Sequence, residues 1–220
     1  MAYGQIRGWA ESLPVAALFT LDDVQDVFPG KSRGAVKMAL GRLCMGDDPL
    51  VARAVRSIYC RRRLGLRRQV PIPIEAREAL PWRVAGPGAG LTGPDLINQI
   101  GWSTQVPPRR WIAVVGRPPQ APDSVTVYQG RSNEKRRDLN RWEVSLLEAA
   151  RCFDAWAEVG WEDAMEKYGD NKSRGFYGAS VRGNLFLDAA SSECGLGPLF
   201  QGRCRDLAEV ASTEGPALVA

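Results

Sequence analysis

The sequence predicts an α+β protein of two domains, a small helical domain that ends in a β-hairpin and a second domain of mixed helices and strands. Three observations predict this organisation. Apolar residues recur at helical spacing three times near the start of the chain. A Val-, Ile- and Tyr-rich stretch over residues 50–61 then has the composition of paired strands. A Pro-rich stretch over residues 64–75 precedes further helical and strand-like segments. We therefore place the first domain at residues 1–68, the second at 76–205 and a flexible tail at 206–220.

The first two helices are predicted by apolar spacing and by the residues at their ends. Apolar side chains at helical spacing over residues 6–13 predict a first helix, which stops near Pro14. Thr20 followed by Asp23 three positions later has the pattern of a capping box at the start of a second helix. The Pro-Gly pair at 29–30 ends that helix.

A third helix and a hairpin complete the first domain. Ser32 is a favourable N-cap for a helix whose buried face comprises Val36, Ala39, Leu40 and Leu43. Three helices followed by a hairpin predict a winged helix-turn-helix, in which the third helix enters the DNA major groove.

The Gly-Lys-Ser at residues 30–32 superficially matches a phosphate-binding loop. Such a loop needs a glycine five residues before the Gly-Lys pair and a strand that leads into it. The chain has Gln25 at that position, and residues 21–28 have helical spacing. The motif is therefore predicted to be the turn between two helices.

The candidate DNA-binding residues lie on the third helix and the hairpin. Ser32, Arg33 and Lys37 face outward at the start of the third helix and are predicted to enter the major groove. Residues 51–70 contain seven arginines and no acidic residue, which indicates a polyanion-binding surface. The predicted phosphate contacts are Arg42, Arg53, Arg56 and Arg61. The alternative for any one of these cations is a solvated helix surface.

The predicted partner is double-stranded DNA, and we expect two copies of the chain to pair on it. One unit with about four to seven phosphate contacts binds weakly at physiological salt. Paired half-sites compensate for this weakness.

Composition excludes several other functions. The chain has no histidine, which excludes Ser-His-Asp and Cys-His catalysis and mixed Cys/His zinc sites. The five cysteines fit no C-x-x-C pattern, and we expect them to be reduced and mostly packed. No apolar run reaches the roughly 18–20 residues of a membrane span, and the N-terminus lacks a secretion signal. We expect a cytoplasmic protein that is not an enzyme and has no metal, no cofactor and no membrane partner.

The second domain is predicted to contain a helix over residues 91–100 and strands over 111–115 and 125–128. Two further helices are expected near 161–168 and 175–190. The clearest helix carries apolar residues at spacings of 4, 3, 4 and 3, which predict one buried face: Trp142, Leu146, Ala149, Phe153 and Trp156.

Two polar features of the second domain have competing interpretations. The basic cluster over residues 131–141 is either a solvated loop before a helix or a surface that contacts DNA or an acidic partner. The D-x-K motif at 170–172 occurs in magnesium-dependent nucleases, which hold it on a rigid strand. Here we expect it in a Gly-flanked polar turn, so the sequence does not favour a nuclease.

Several sequence blocks resemble the AbiEi family of antitoxins from abortive-infection and related toxin–antitoxin systems. The resemblance covers most of residues 15–155 and rests on blocks in a fixed order: "LFTLDDV", "SRGAVKMALGRL", "RSIY", "GLTGPDLINQIGWSTQVP", "WIAVVGR" and "LNRWEVSLLEAAR". One departure is Ser57, which stands where the family often has glycine.

The resemblance implies an N-terminal winged helix that binds operator DNA and represses its own operon. It also implies a C-terminal antitoxin domain that counteracts a cognate nucleotidyltransferase-like toxin. The alternative is a stand-alone winged-helix transcriptional regulator whose second domain senses a ligand or forms oligomers, with no toxin. Neither interpretation requires a catalytic residue.

Overall fold

The structure is a computed structural model that describes residues 2–46, 49–63, 72–173 and 181–212. The chain is an α+β protein that divides into two compact units, unit 1 (Met1–Arg83) and unit 2 (Val84–Ala220). Over the described ranges, no helix is both long and apolar enough to cross a membrane.

Unit 1 contains three helices and a three-stranded antiparallel sheet, followed by the start of a fourth helix. The elements are α1 (Ala2–Ser12), β1 (Leu18–Thr20), α2 (Leu21–Val27), α3 (Arg33–Leu43), β2 (Val51–Val55), β3 (Ile58–Arg61) and α4 (Ile74–Ala85). The strand order is β1-β3-β2, and both pairings are antiparallel.

The capping residues set the starts of α2 and α3 as predicted. The Thr20 backbone N–H donates to Asp23 Oδ2 at 2.7 Å, and the Asp23 N–H donates to Thr20 Oγ1 at 3.1 Å, which completes the capping box. The Ser32 hydroxyl accepts from the N–H of Ala35 at 3.3 Å. Because residues 21–27 are helical, Gly-Lys-Ser follows a helix and lacks the strand that a phosphate-binding loop requires.

The core of unit 1 lies between the helices and the sheet. α3 buries the predicted face, comprising Val36, Ala39, Leu40 and Leu43. Trp9 of α1 meets Phe19 of β1 edge to face, with ring centroids 5.1 Å apart. Residues of α1, α3, β1 and the two hairpin strands belong to one apolar core, and this shared core fixes the position of α3 relative to the hairpin.

Two elements of unit 1 were not predicted. β1 is only three residues long, and its strand character comes from pairing with β3. α4 begins at Ile74, inside the stretch expected to be a connector. Residues 64–71 of that stretch lie outside the described residues.

Unit 2 places a small mixed sheet beside a group of helices. Its elements are β4 (Gly90–Leu91), α5 (Gly93–Gln99), β5 (Arg110–Val115), β6 (Thr126–Arg131), a 3-10 helix (Glu134–Asp138), α6 (Arg141–Trp156), α7 (Trp161–Ser173), α8 (Gly183–Ser191) and α9 (Pro198–Ser212). β4 pairs antiparallel with β5, and β5 pairs parallel with β6.

Helix α6 is the centre of unit 2. Gly90 of β4 lies so close that a Cβ there would be 2.7 Å from the N atom of Ser145 and 2.8 Å from the Val144 side chain. The Leu91 N–H donates to the Ser145 hydroxyl at 2.9 Å and fixes the strand to the helix. Trp156 does not follow the predicted buried face, since it is 41% exposed at the end of the helix.

Two expectations for unit 2, one for the tail and one for the D-x-K motif at 170–172, were wrong. Residues 206–212 are not a flexible tail, because α9 continues to Ser212 and buries Leu207, Ala208 and Ala211. The D-x-K motif lies within α7 and not in a turn. Residues 213–220, which complete the predicted tail, lie outside the described part of the chain.

Candidate nucleic-acid interface

An open groove of about 430 Å³ lies between α3 and the β2–β3 hairpin of unit 1. Its lining is Leu21, Arg33, Gly34, Lys37, Arg53, Arg56, Ser57 and Tyr59. The lining contains four cationic residues and no acidic residue. Two sequence segments that were predicted separately to contact DNA therefore form one surface.

Helix and strand geometry place the four cations. Arg33 and Lys37 are four residues apart on α3, so they lie one above the other on the same side of the helix. Arg53 lies on β2, and Arg56 lies in the turn that joins the hairpin. All four side chains are exposed.

The hairpin turn has a left-handed residue at its tip. Val55 pairs with Ile58, so Arg56 and Ser57 form the connection between the strands. Ser57 has φ of 68°, a conformation that favours glycine. Ser57 therefore occupies a position whose backbone conformation favours glycine, and the serine adopts that conformation.

One acidic side chain interacts with the groove cations. The Arg33 guanidinium donates to the carboxylate of Asp22, in the first turn of α2. Both side chains are well exposed, at 62% and 70%, so this pair contributes little to stability. Within the described ranges, Lys37, Arg53 and Arg56 have no carboxylate within ion-pair distance.

The remaining predicted DNA-binding residues lie outside the groove lining. Ser32 caps α3, so its hydroxyl already accepts a helix N–H. Arg42 is exposed in the last turn of α3. Arg61 was predicted to contact phosphate, but it is only 8% exposed and its guanidinium donates to the carbonyl of Arg62. Its place on the central strand β3 makes Arg61 a structural residue.

Sequence reasoning missed Asp22, Leu21 and Tyr59 at this surface. An acidic residue in the first turn of a helix is normally explained by its favourable interaction with the helix dipole. The sequence therefore offered no separate reason to expect an ion pair between Asp22 and Arg33. Tyr59 was assigned to the hairpin, and only the strand register turns it toward the groove.

The basic cluster over residues 131–141 is in part a buried ionic network, which differs from both interpretations, a solvated loop and a surface that contacts DNA or an acidic partner. Arg136 is fully buried, with Nη1 2.7 Å from Glu148 and Nε 2.6 Å from Glu193. Arg131 donates to Glu148 at 2.5 and 2.8 Å. Arg151 donates to Glu193 at 2.6 Å.

The arginines keep Glu148 ionised. Burial opposes its ionisation, but the hydrogen bond from Arg131 and the charges of Arg136 and Arg131 outweigh burial and lower the pKa of Glu148 to about 2. The network connects β6, the 3-10 helix, α6 and the segment after α8, and it gives Arg131 and Arg136 carboxylate partners within unit 2. The exposed Lys135 and Arg137 are paired with Asp188 and Glu134.

The described residues contain no group of three or more His, Cys, Asp or Glu placed to hold a metal ion. All five cysteines are free thiols, and Cys60 and Cys204 are buried. Burial raises the pKa of Cys60 to about 11 and that of Cys204 to about 12, so both are neutral, packed thiols.

Comparisons with known proteins do not assign this chain to a family. No family model matches the chain, and no curated protein matches it. A solved structure that matches is the crystal structure of RV2827C protein from Mycobacterium tuberculosis. The two chains are 15% identical, and the match covers 96% of this chain and 78% of that chain with a TM-score of 0.38. A similarity of this size does not extend to function.

Proposed function

We propose that unit 1 is a winged helix-turn-helix that binds double-stranded DNA in the groove between α3 and the hairpin. The observation that supports this proposal is the lining of the groove, where Arg33 and Lys37 of α3 face Arg53 and Arg56 of the hairpin with no acidic residue between them. Duplex DNA carries one negative charge per about 1.7 Å of helix axis, so a paired set of cations on two elements suits its backbone.

Helix α3 and the hairpin have different roles in the proposed DNA complex. α3 enters the major groove, with Arg33 and Lys37 on the side that faces the hairpin and Arg42 on the other side. Arg53 and Arg56 contact phosphates from the hairpin, which acts as the wing. Two copies of the chain occupy paired half-sites, because one such surface makes few phosphate contacts.

We further propose that the chain represses its own operon and acts as the antitoxin to a nucleotidyltransferase-like toxin in the cytoplasm. This part rests on the resemblance of the sequence blocks to the AbiEi family. Unit 2 would carry the antitoxin activity and requires no catalytic residue for it.

Repression is tested with a reporter gene behind the DNA that precedes the chain's own gene. The full-length protein should reduce reporter output, and a Lys37→Ala, Arg56→Ala double variant should restore it, since it lacks one cation on each side of the groove. A matched Arg7→Ala variant removes an exposed cation from α1 and should repress normally. Repression by the double variant equal to that of the parent would overturn the proposed surface.

Antitoxin activity is tested by co-expression with a nucleotidyltransferase-like protein encoded beside the gene. Growth should be rescued by the full chain and by the groove double variant, since the proposal assigns neutralisation to unit 2. Loss of growth despite intact repression would favour the alternative, a stand-alone regulator.

A further inference from the structure

Helix α3 has a second surface feature, an apolar outward face beside the basic groove. Three residues at spacings of four and three lie opposite the buried face of the helix, Gly34, Met38 and Gly41, and the exposed Met45 follows just beyond the helix end. Met38 is 65% exposed and Met45 is 74% exposed. Two large apolar side chains therefore project from the part of the unit that the proposed function places against DNA.

The two glycines leave the backbone of α3 open around Met38. A Cβ added at Gly34 or Gly41 would have no neighbour within 4 Å, so neither glycine is required by packing among the described residues. With no side chain at either position, a partner can approach the helix axis closely on both sides of Met38.

Cations border this apolar face on both sides. Arg33 and Lys37 lie on the side of the basic groove, and Arg42 lies on the opposite side of the helix surface. An apolar strip with cations on both sides matches the major groove, whose two walls are phosphate backbones. A protein partner with an apolar surface would provide no counterpart for the flanking charges.

The floor of the major groove presents one apolar group, the C5-methyl of thymine. We infer that Met38 contacts a thymine methyl group and so determines part of the operator sequence. This inference rests on the proposed function, since it assigns a substrate preference to the same surface. It also assigns base recognition to a residue that carries no charge. The flexible thioether side chain of methionine suits an apolar contact of this kind.

The test removes only the methyl group from the DNA. Duplexes selected by the full-length chain from a random library are prepared with each thymine replaced in turn by deoxyuridine. At the contacted position, this change should weaken binding about fourfold, the ratio expected for one buried methyl group. In a Met38→Ala variant the ratio at that position should fall to about one.

Val15→Ala is the matched control, because Val15 is also an exposed apolar residue, at 48%. It lies before β1, at the end of the sheet away from the hairpin turn, since Thr20 pairs with Ile58 and Leu18 with Cys60. This variant should retain the fourfold ratio.

Two results separate the inference from the proposed function. Selected duplexes that bind tightly but show no deoxyuridine effect, or an equal effect in Met38→Ala, would overturn the role of Met38 alone. Failure of the chain to enrich any sequence would overturn the proposed function and this inference together.

Discussion

Arg33, the first residue of α3, forms an ion pair with Asp22 in the first turn of α2 at the edge of the basic groove. Because both side chains are exposed, the pair is weak, and under the proposed function a DNA phosphate would compete with Asp22 for the guanidinium. Asp22 would therefore oppose the proposed DNA binding in two ways, by occupying Arg33 and by repelling phosphate.

Replacing Asp22 with asparagine should strengthen DNA binding by about two- to fivefold at low salt, the range expected for a surface charge pair. Fluorescence anisotropy with a short duplex measures this change. Asp26→Asn is the matched control, since it removes an equal charge from the exposed side of α2 without a pairing to Arg33. Equal strengthening by both variants would indicate that net charge, and not the release of Arg33, is responsible.

Arg56 and Arg33 should affect binding differently. Arg56→Ala should weaken binding to every duplex and reduce the slope of log K against log salt by about 0.9, because one phosphate contact is lost. Arg33→Ala should reduce the ratio between operator and random DNA, because Arg33 is proposed to contact base edges. Titrations over a salt series measure both quantities, with Arg7→Ala as the control. A salt slope unchanged in Arg56→Ala would remove the hairpin from the DNA interface.

Gly41→Ala should stabilise unit 1 and weaken DNA binding. Alanine favours an exposed helix over glycine by about 0.5–1 kcal/mol, and the new Cβ has no neighbour within 4 Å. The same Cβ should obstruct the approach of DNA and reduce operator affinity by about fivefold or more. Thermal unfolding and anisotropy measure the two effects. Gly8→Ala on α1 is the control, because it also adds a Cβ to open space and should raise stability without a change in binding.

The pKa of Glu148 predicts an acid dependence of stability in unit 2. A folded-state pKa of about 2 lies below the ordinary value of 4.5, so the stabilisation is complete above about pH 4.5 and is lost as the pH falls toward 2. The shift corresponds to about 3 kcal/mol at neutral pH, as an order of magnitude. Urea unfolding followed by tryptophan fluorescence reports mainly on unit 2, which contains five of the seven tryptophans.

Glu148→Gln should lower the free energy of unfolding by about 3–5 kcal/mol at pH 7, because it removes the carboxylate partner of Arg131 and leaves the buried Arg136 with Glu193 alone. The difference between the variant and the parent should shrink as the pH falls from 4.5 to 2. Asp188→Asn removes the exposed partner of Lys135 and should change stability by no more than about 1 kcal/mol. A Glu148 variant as stable as the Asp188 variant would contradict the importance of the buried network.

The sequence predicted those parts of the fold that depend on local chemistry. The starts of α2 and α3 followed from Thr20, Asp23 and Ser32, because a capping side chain bonds to backbone only two or three residues away. The long apolar face of α6 was predicted from helical spacing, which is also local, and its exception, Trp156, is the last residue of the helix.

The parts that were not predicted depend on partners distant in sequence. Arg61 is buried because β3 is the central strand, and Arg136 is buried because Glu148 and Glu193 come to it from other helices and turns. An arginine-rich segment has the same composition whether its side chains face DNA or a carboxylate. The exposed face of α3 around Met38 was not predicted, because its exposure depends on which side of α3 packs in the core.

The groove between α3 and the hairpin is the proposed binding site for operator DNA. The most direct measurement is an anisotropy titration of the full-length protein, and of a Lys37→Glu, Arg56→Glu double variant, against the upstream DNA of its own gene and a scrambled duplex. We predict a preference of about 10³-fold or more for the upstream DNA, with binding lost in the double variant. Equal binding of both duplexes by the parent, or undiminished binding by the double variant, would contradict it.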